Sequence, residues 1–466
     1  MFFSKPLSLC TIFIENLSIA LQTIGGNKLS RTQKLWFSIC LTGILVTNSV
    51  CWKKFERSGF GRFTSNALSK MFRKNKISWD MILMASCLNV FKTYNITNGS
   101  LALDGTDNQR SKNTSTIAKV SSIKDKTSGG FIKGQELTIL VLITDKITIP
   151  VGFEFHESDP VLKDWKKSEK DLKKKGVAKK DRPIKPEQNK DYPDALDIAL
   201  KLLKVFKQNH PEIKIKSILA DALYGANRFV SQASKIFKKT QIITQAKTNQ
   251  KIKSFGKYIS IKDYFIKNPG VPKKLKIRGG EEQTVTMHGA RLVLKAHGVK
   301  RYIIALKYEG ESEYRYLLAS ELTWRLTDIA AAYTLRWLVE VFIQDWKGYE
   351  GWCQLAKQPG IDGSCRGVIL SLLLDHCLLL HPSQTALIKS KLPASTVGSL
   401  RDRERANAIL ETIESLVADT NSSIVNELKD CISKVIPLRK SSKHMSGREL
   451  GRLEPTDSLV KYQKAA

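Results

Sequence analysis

The pattern of hydrophobic and polar positions predicts a chain that passes from helices to strands and back to helices. Helical periodicity covers residues 1–95. Short apolar runs then predict buried strands: GSLALD ending at Asp104, two strands within residues 136–156, and IKSILAD ending at Asp221. Residues 241–320 alternate between apolar and polar positions around glycine turns, which predicts a small antiparallel β unit.

The segment Asp328–Lys347 predicts one long amphipathic helix. At about 100° per residue, Tyr333, Arg336, Glu340 and Lys347 share a stripe about 60° wide. The opposite face carries the apolar side chains that a core would take, namely Leu335, Leu338, Val339, Phe342 and Trp346. From this helix alone, an ordinary surface ion pair between Arg336 and Glu340 stays open as the alternative.

Carboxylates end two of the predicted strands, at Asp104 and Asp221. Acids at the ends of adjacent buried strands meet at one edge of a sheet, so we expect Glu340 of the helix to join them there. Oxygen ligands without His or Cys suit a hard divalent cation, and three carboxylates suffice for a two-metal site. Asp107 competes with Asp104 because the sequence reads DGTD, and a turn or a helix cap is the ordinary alternative role for each aspartate.

Charge narrows the class of partner. The chain has 466 residues, and 76 Lys and Arg against 44 Asp and Glu give a net charge of +32. Such an excess is typical of a protein that neutralises a polyanion, with nucleic acid first and an anionic membrane surface second. Residues 53–76 and 235–278 concentrate the excess. Phenylalanines interleave the first stretch, for which an amphipathic helix with a solvated lysine face is the alternative interpretation.

Three further features bear on the compartment. Residues 35–52 form an uncharged run, but its polar side chains favour a packed core helix over a membrane span. Eight cysteines without a Cys-x-x-Cys pair predict buried reduced thiols in a cytoplasmic protein. We expect no signal peptide in residues 1–17, because Glu15 interrupts the apolar run, and we expect the basic tail from Arg439 to be mobile.

Taken together, these motifs resemble the bacterial insertion-sequence transposases of the DDE type, in particular the IS-four group. The Tyr-x2-Arg-x3-Glu-x6-Lys signature of that group is matched in full, at Tyr333, Arg336, Glu340 and Lys347. LALDGTDNQRSK around Asp104 and ADALYG around Asp221 resemble the two catalytic-aspartate regions, the second including Tyr224. Many relatives have a second Asp directly after the first, where this chain has Gly105, which leaves Asp104 the better ligand.

The resemblance implies an α/β fold. We expect a ribonuclease H-like core, a mixed sheet flanked by helices, that is interrupted by an antiparallel β insertion and preceded by a helical N-terminal region. The expected parts are a helical DNA-binding region at 1–95, the first part of the core at 96–238, the β insertion at 239–324, the second part of the core with the catalytic-glutamate helix at 325–380, and a C-terminal helical region with a basic tail at 381–466.

The resemblance also implies cut-and-paste DNA transposition. Asp104, Asp221 and Glu340 would hold two Mg²⁺ ions, or Mn²⁺, for hydrolysis at the element end and later joining of the 3′-hydroxyl to target DNA. Five residues would contact DNA, namely Tyr333, Arg336, Lys347, Tyr224 and, as an aromatic for a flipped base, Trp324. The expected partners are double-stranded DNA, both inverted-repeat ends and target, and a second copy of the chain in a homodimer, with no membrane. The expected location is the bacterial cytoplasm, at the nucleoid.

Other functions stay open. One is a metal-dependent nuclease that only hydrolyses, which the β unit and the basic N-terminal region disfavour. Another is a transposon-derived DNA-binding protein without catalysis, which the presence of all three acids disfavours. A membrane-surface protein is the last, and the polar side chains of residues 35–52 argue against it.

Overall fold

The chain begins with five α-helices. The computed structural model describes residues 2–110, 115–125, 128–278, 280–355, 359–416, 438–441 and 443–444. The first helices are α1 (Ser8–Thr23), α2 (Arg31–Thr47), α3 (Trp52–Ser58), α4 (Ser65–Lys74) and α5 (Trp79–Tyr94). Helical periodicity predicts these elements correctly, whereas their role as a DNA-binding region stays a prediction.

Helix α2 is the packed core helix that its uncharged sequence predicts. A capping box begins it, since the Ser30 hydroxyl accepts from Gln33 N and the Gln33 side chain accepts from Ser30 N. Its side chains at Phe37, Cys40 and Leu41 are fully buried. Helix α2 packs against α1 and α3, so the uncharged run is buried in protein.

The basic stretch 53–76 forms most of α3 and α4. Of its four phenylalanines, Phe55 and Phe72 are buried in the core, whereas Phe60 is exposed. The two buried rings favour the amphipathic-helix interpretation for these positions. Contact between the basic side chains and DNA stays a prediction.

The middle of the chain builds one mixed sheet, which has twelve strands among the described residues. The strands are β1 (Asn98–Gln109), β2 (Val120–Lys124), β3 (Phe131–Ile143), β4 (Thr148–His156), β5 (Lys214–Ala220), β6 (Gln241–Gln245), β7 (Lys251–Ser254), β8 (Lys257–Ser260), β9 (Val271–Lys276), β10 (Glu282–Leu294), β11 (Val299–Tyr308) and β12 (Arg315–Ala319). Their order is β2-β3-β1-β5-β6-β12-β11-β10-β7-β8, with β4 also paired to β3 and β9 to β10. The β1–β5 and β5–β6 pairs are parallel and the others are antiparallel.

Helices cover both faces of this sheet. The helices that follow the first five along the chain are α6 (Pro160–Lys174), α7 (Ala195–Asn209), α8 (Asn227–Ile236), α9 (Ile261–Lys267), α10 (Leu326–Thr334), α11 (Trp337–Tyr349), α12 (Gly360–Leu379), α13 (Pro382–Lys389) and α14 (Val397–Leu416). Alternate residues of β1 enter two separate cores, with Ala102 on the side of α2 and α11 and with Leu101 and Leu103 on the side of α7 and α8. The predicted mixed α/β class, with a mixed sheet flanked by helices, is therefore confirmed.

Two strand predictions need correction. Asp104 does not end its strand, because β1 continues through antiparallel pairs with β3 as far as Gln109↔Gly134. The antiparallel β unit is not separate from the core, because Gln241–Gln245 pairs in parallel with β5 and antiparallel with β12. The hairpins therefore extend the central sheet, and a boundary at residue 239 separates strands that hydrogen-bond to each other.

The predicted single helix of residues 328–347 is two helices. Helix α10 ends at Thr334 and α11 begins at Trp337. Around the break the backbone forms i→i−3 bonds, from Leu335 N to Ala332 O at 3.1 Å and from Arg336 N to Tyr333 O at 3.0 Å. The tighter turn shifts the angular position of every later residue, so the common stripe calculated for one helix does not apply across it.

No single helix within the described residues is long and apolar enough to cross a membrane, although the bent pair of α12 and α13 passes when taken together. Helix α12 is buried over most of its length. The cysteines in the described part of the chain are free thiols, and Cys10, Cys40, Cys87 and Cys377 are buried. Cys353 is exposed, contrary to expectation, and Cys431 lies outside the described residues.

Ser441, Lys443 and His444 of the basic tail are buried, which at these residues corrects the expectation of a mobile tail from Arg439. Lys443 is fully buried, with Nζ 2.8 Å from Asp375 Oδ1 on α12 and 3.7 Å from Asp345 Oδ2 on α11. Ser441 N donates to Ala394 O. The tail from residue 445 onward lies outside the described residues.

Glu350 adds a second buried carboxyl group beside this ion pair. It is fully buried, and neither carboxyl oxygen has a hydrogen-bond partner among the described residues. Burial raises the pKa of Glu350 well above its ordinary value, and the nearby negative charge of Asp375 raises this pKa further. The folded chain therefore favours the protonated form of Glu350.

Replacing Lys443 by Met should destabilise the fold by about 3–5 kcal/mol, because Asp375 would be left charged and buried without its partner. The midpoint of urea denaturation measures this change. Lys440→Met is the matched control, since Lys440 is an exposed lysine three residues before Lys443. Equal midpoints for the two variants would contradict a structural role for Lys443.

Replacing Glu350 by Gln should flatten the decline of stability with rising pH. The folded chain keeps a proton that the unfolded chain releases above a pH of about 4.3, so wild-type stability falls as pH rises from there to the folded pKa. The variant has no such proton, so its melting temperature should match the wild type near pH 4 and exceed it increasingly as pH rises towards the folded pKa of Glu350. Exposed Glu309→Gln is the control, and a Glu350→Gln curve parallel to the wild type would refute the prediction.

Candidate active site

The parallel pairing of β1 with β5 brings the two aspartates to one edge of the sheet. The last parallel pair is Ala102↔Leu219, and Asp104 and Asp221 each follow two residues later on their own strands. Asp221 also caps a short 3₁₀ turn, with Oδ1 accepting from Leu223 N at 2.9 Å. The expected meeting at one edge is confirmed, and the capping role exists beside it.

Helix α11 brings Glu340 to the same edge. The helix packs against β1 and β4, and Leu338, Val339, Phe342 and Trp346 are fully buried, as their helical spacing predicts. Because this apolar face holds the helix down, Glu340 faces an open cleft. The cleft is lined by Asp104, Asp221, Arg336, Glu340 and Lys347, among others.

Arg336 links the two ends of this constellation. Its Nη1 lies 3.2 Å from Asp104 Oδ2, and its Nη2 donates to Glu340 Oε1. The side chain of Arg336 is only 13% exposed, against 20% for Asp104 and 32% for Glu340. An ordinary surface pair would join two residues of one helix, whereas this guanidinium also bridges from the helix to the central strand.

Burial and the neighbouring carboxylates both disfavour the charged form of Asp104. Burial raises the pKa of the Asp104 carboxyl, and the charges of Asp221 and Glu340 raise it further. Two contacts oppose that rise, the Gly105 N–H at 2.8 Å from Oδ1 and the guanidinium of Arg336. The three carboxylates are therefore electrostatically coupled through the cleft.

The three carboxylates do not form a ready metal-binding group. Across the described parts of the chain, no three His, Cys, Asp or Glu side chains have the spacing that a metal ion needs. The expectation that Asp104, Asp221 and Glu340 surround a common point is not met, because Arg336 lies between Asp104 and Glu340. The donor set itself fits a hard divalent cation, since three carboxylates line one open cleft.

Tyr333 and Lys347 lie on either side of Arg336 and Glu340. The Tyr333 hydroxyl donates to Ala220 O at 3.4 Å, directly before Asp221 in sequence. Lys347 Nζ lies 3.1 Å from Asp107 Oδ1. The two aspartates of the DGTD sequence therefore have different partners, since Asp107 contacts Lys347 and Asp104 contacts Arg336.

Two residues at the site were not anticipated individually. Gln245 ends β6, the third parallel strand, and lines the same cleft, but an uncharged side chain gives no signal in sequence. Arg278 stacks on Trp337 with its Cζ 5.0 Å from the ring centroid, and its charge acts on Glu340. It stands at the end of the basic stretch 235–278, where charge alone does not distinguish it from its neighbours.

Tyr224 and Trp324 are both buried, and of the two only Tyr224 lines a cleft that also contains Asp104 and Asp221. Tyr224 is 2% exposed, packs against Phe229 with 5.2 Å between tilted rings, and has its hydroxyl hydrogen-bonded to Thr138. Trp324 is 5% exposed and lines a different cleft, beside the amino ends of β5 and β6. The prediction of Trp324 as an aromatic beside the carboxylates is therefore wrong. Trp324 follows β12, which runs antiparallel to β6 and therefore ends at the opposite edge of the sheet.

Neither a protein-family model nor a curated protein sequence matches the chain. Its function is therefore argued from the geometry and charge of the site.

Replacing Tyr224 by Phe should lower the free energy of unfolding by about 1 kcal/mol, because the hydrogen bond to Thr138 is lost. DNA affinity should not change, since the ring stays buried. Chemical denaturation and fluorescence anisotropy measure the two quantities, with exposed Tyr258→Phe as the control. Weaker DNA binding at unchanged stability would restore the DNA-contact role of Tyr224.

Proposed function

We propose that the protein is a DDE transposase that cuts the ends of an insertion sequence and joins their 3′-hydroxyls to target DNA. The observation that carries this proposal is the convergence of Asp104, Asp221 and Glu340 on one cleft, with Arg336 and Lys347 beside them. The net charge of +32 supports a nucleic-acid substrate.

The strand order supports the finer fold assignment. The strands β4, β3 and β1 form an antiparallel group, and β5 and β6 continue from β1 in parallel. This arrangement supports a ribonuclease H-like core, and β7 to β12 then represent the β insertion. On this assignment the carboxylates lie at the carboxyl ends of the parallel strands.

The chemistry needs a cation, which this chain would hold with its three carboxylates. Two Mg²⁺ or Mn²⁺ ions, when bound, supply an activated attacking oxygen and stabilise the leaving oxygen of a phosphodiester. Asp104 and Glu340 must exchange Arg336 for cations before they can serve as such ligands. Arg336 then becomes available to a DNA phosphate through its planar fork, and Lys347 contributes a point charge nearby.

Arg336 therefore has two roles in the proposal. Without cations it neutralises Asp104 and Glu340, which would otherwise repel each other across the cleft. With cations and DNA present, the phosphate offers the guanidinium an equivalent charged acceptor. The residue changes partners between the two states, and its charge is needed in both.

A non-catalytic DNA-binding protein is the second candidate. The specific observation in its favour is that no metal-binding group of three side chains exists in the part of the chain that the structure describes. If Arg336 stayed between Asp104 and Glu340 permanently, the basic surface would still bind DNA. Only an assay of cleavage separates the two candidates.

Replacing Glu340 by Gln should lower strand cleavage more than about 100-fold, because one carboxylate ligand is lost. DNA binding should persist, since the basic surface is unchanged. The DNA that flanks the gene is first searched for terminal inverted repeats, and a duplex with such an end is the substrate. Cleavage is measured on a gel in the presence of Mg²⁺ or Mn²⁺. Glu136→Gln is the matched control, because Glu136 lines the neighbouring part of the cleft with Asp104 and Asp221.

The outcomes separate the candidates. Cleavage by the Glu340→Gln variant at the wild-type rate would refute the assignment of Glu340. A wild-type protein that binds DNA but never cuts it would identify the non-catalytic protein. Cutting without joining of the 3′-hydroxyl would identify a purely hydrolytic nuclease.

A further inference from the structure

We infer that a second site for the phosphate backbone of double-stranded DNA lies at the edge of the sheet opposite the carboxylates. It is a cleft of about 550 Å³, here called the lysine cleft. The lysines that line it are Lys207, Lys214, Lys216, Lys238 and Lys239. The inference rests on the proposed function only in taking DNA as the polyanion.

The lysine cleft is separated from the active-site cleft by the length of β5. Lys214 begins β5, and Asp221 follows its last residue. At about 3.3 Å per residue the two ends are about 20 Å apart, which is comparable with the width of a DNA duplex. A duplex that contacts the carboxylates and runs across the direction of β5 therefore does not also fill the lysine cleft, and the second site then takes another DNA segment.

The lysines converge from three separate elements. Lys207 lies in the last turn of α7, Lys214 and Lys216 lie on β5, and Lys238 and Lys239 form the turn between α8 and β6. Buried Trp324 and Thr323 are also part of the lining. Because tertiary structure assembles the cluster from distant positions, it is not simply the consequence of one lysine-rich run.

Charge in the lysine cleft is not balanced internally. Two carboxylates, Glu212 and Glu321, stand against the five lysines. Within the described residues, Lys216, Lys238 and Lys239 have no ion-pair partner. Burial lowers the pKa of Lys216, and the like charge of Lys214 lowers it further, although Asp145 opposes the change. A phosphate backbone would supply the missing negative charge.

The backbone at the rim of the lysine cleft is strained. Lys238 and Lys239 have φ values of 58° and 70°, so two consecutive non-glycine residues adopt the left-handed conformation. Such residues cost about 1–3 kcal/mol each, and glycine or asparagine would adopt the conformation at lower cost. The chain instead has two exposed lysines there, which is the pattern expected where charge at the rim is needed.

The lysine side chains favour a polyanion over a small planar acid. An ammonium group on a flexible stem acts as a point charge and adapts to successive phosphates, whereas a single carboxylate ligand is usually bound by an arginine fork. The described cleft is lined by lysines and contains no arginine. Binding of a duplex there should therefore depend on salt and not on base sequence.

The test uses the full chain carrying Glu340→Gln, so that cleavage does not interfere. In one arm, lysine acetylation is read by mass spectrometry with and without a duplex of about 20 base pairs, a length near two helical turns. Duplex should protect Lys238 and Lys239 more strongly than the lysines of α6. The second probe is inorganic phosphate at the same total concentration of phosphate groups. Equal protection by inorganic phosphate would overturn the inference of a duplex-binding site and indicate a site for a small anion.

The second arm compares two triple variants with the same change in charge. Lys214, Lys238 and Lys239 are replaced by Gln in one, and exposed Lys163, Lys166 and Lys170 of α6 are replaced by Gln in the other. The slope of log affinity against log salt should fall by up to about 2.7 for the first variant, at about 0.9 per phosphate contact, and by much less for the second.

Equal slopes for the two variants, together with unprotected Lys238 and Lys239, would overturn the inference. Its failure and that of the proposed function are distinguishable. Protection of the lysine cleft in a protein whose wild type never cuts DNA would leave the second site in place and refute the transposase. Cleavage by the wild type without protection of the lysine cleft would support the transposase and refute the second site.

Discussion

The parallel pairing of β1 with β5 is the constraint on which the rest of the site depends. Its last pair, Ala102↔Leu219, sets Asp104 and Asp221 at the same level on neighbouring strands. The pair is stable because both faces of these strands are buried, one under α2 and α11 and the other under α7 and α8. A slip of one residue would send Ala102 and Leu103 to the wrong cores and would separate the two carboxylates. Packing energy and site geometry are thus set by the same register.

The apolar face of α11 fixes the position of Glu340 relative to these two strands. Phe342 and Trp346 are fully buried, and next to Trp346 the side chain of Asp345 pairs with Lys443, which also pairs with Asp375 of α12. On the side of the cleft, Arg336 ties the helix to β1 through Asp104. The helix is therefore held by burial on one face and by charge on the other. Only the charged contacts can exchange for ions or phosphate without disturbing the core, which is consistent with a site that changes its charge when substrate binds.

The same sheet has opposite charge at its two edges. Carboxylates collect where β1 and β5 approach their parallel carboxyl ends, and lysines collect around the amino ends of β5 and β6. The excess of basic residues is therefore spread over separate surfaces of one fold. A polyanion that meets the acidic edge needs cations or Arg336 and Lys347 to approach it, whereas the lysine cleft attracts phosphate directly. Trp324 lies at this second surface and not beside the carboxylates, where an aromatic for a flipped base was expected.

The sequence by itself determined the α/β class, the buried helix α2, the apolar face of α11, the strand-end position of Asp221, and the meeting of Asp104, Asp221 and Glu340 at one cleft. These follow from periodicity and from the geometry of parallel strands, which are local or nearly local properties. Only the tertiary structure decided that β1 continues past Asp104, that the hairpins extend the central sheet, and that α10 and α11 are separated by a tight turn. It also decided that Lys443 is buried and that Trp324 lies away from the carboxylates. Each of these depends on a partner that is distant in sequence. Pairing with that partner, or burial against it, changes the free energy of a segment, but the segment's own pattern of apolar and polar residues does not show it.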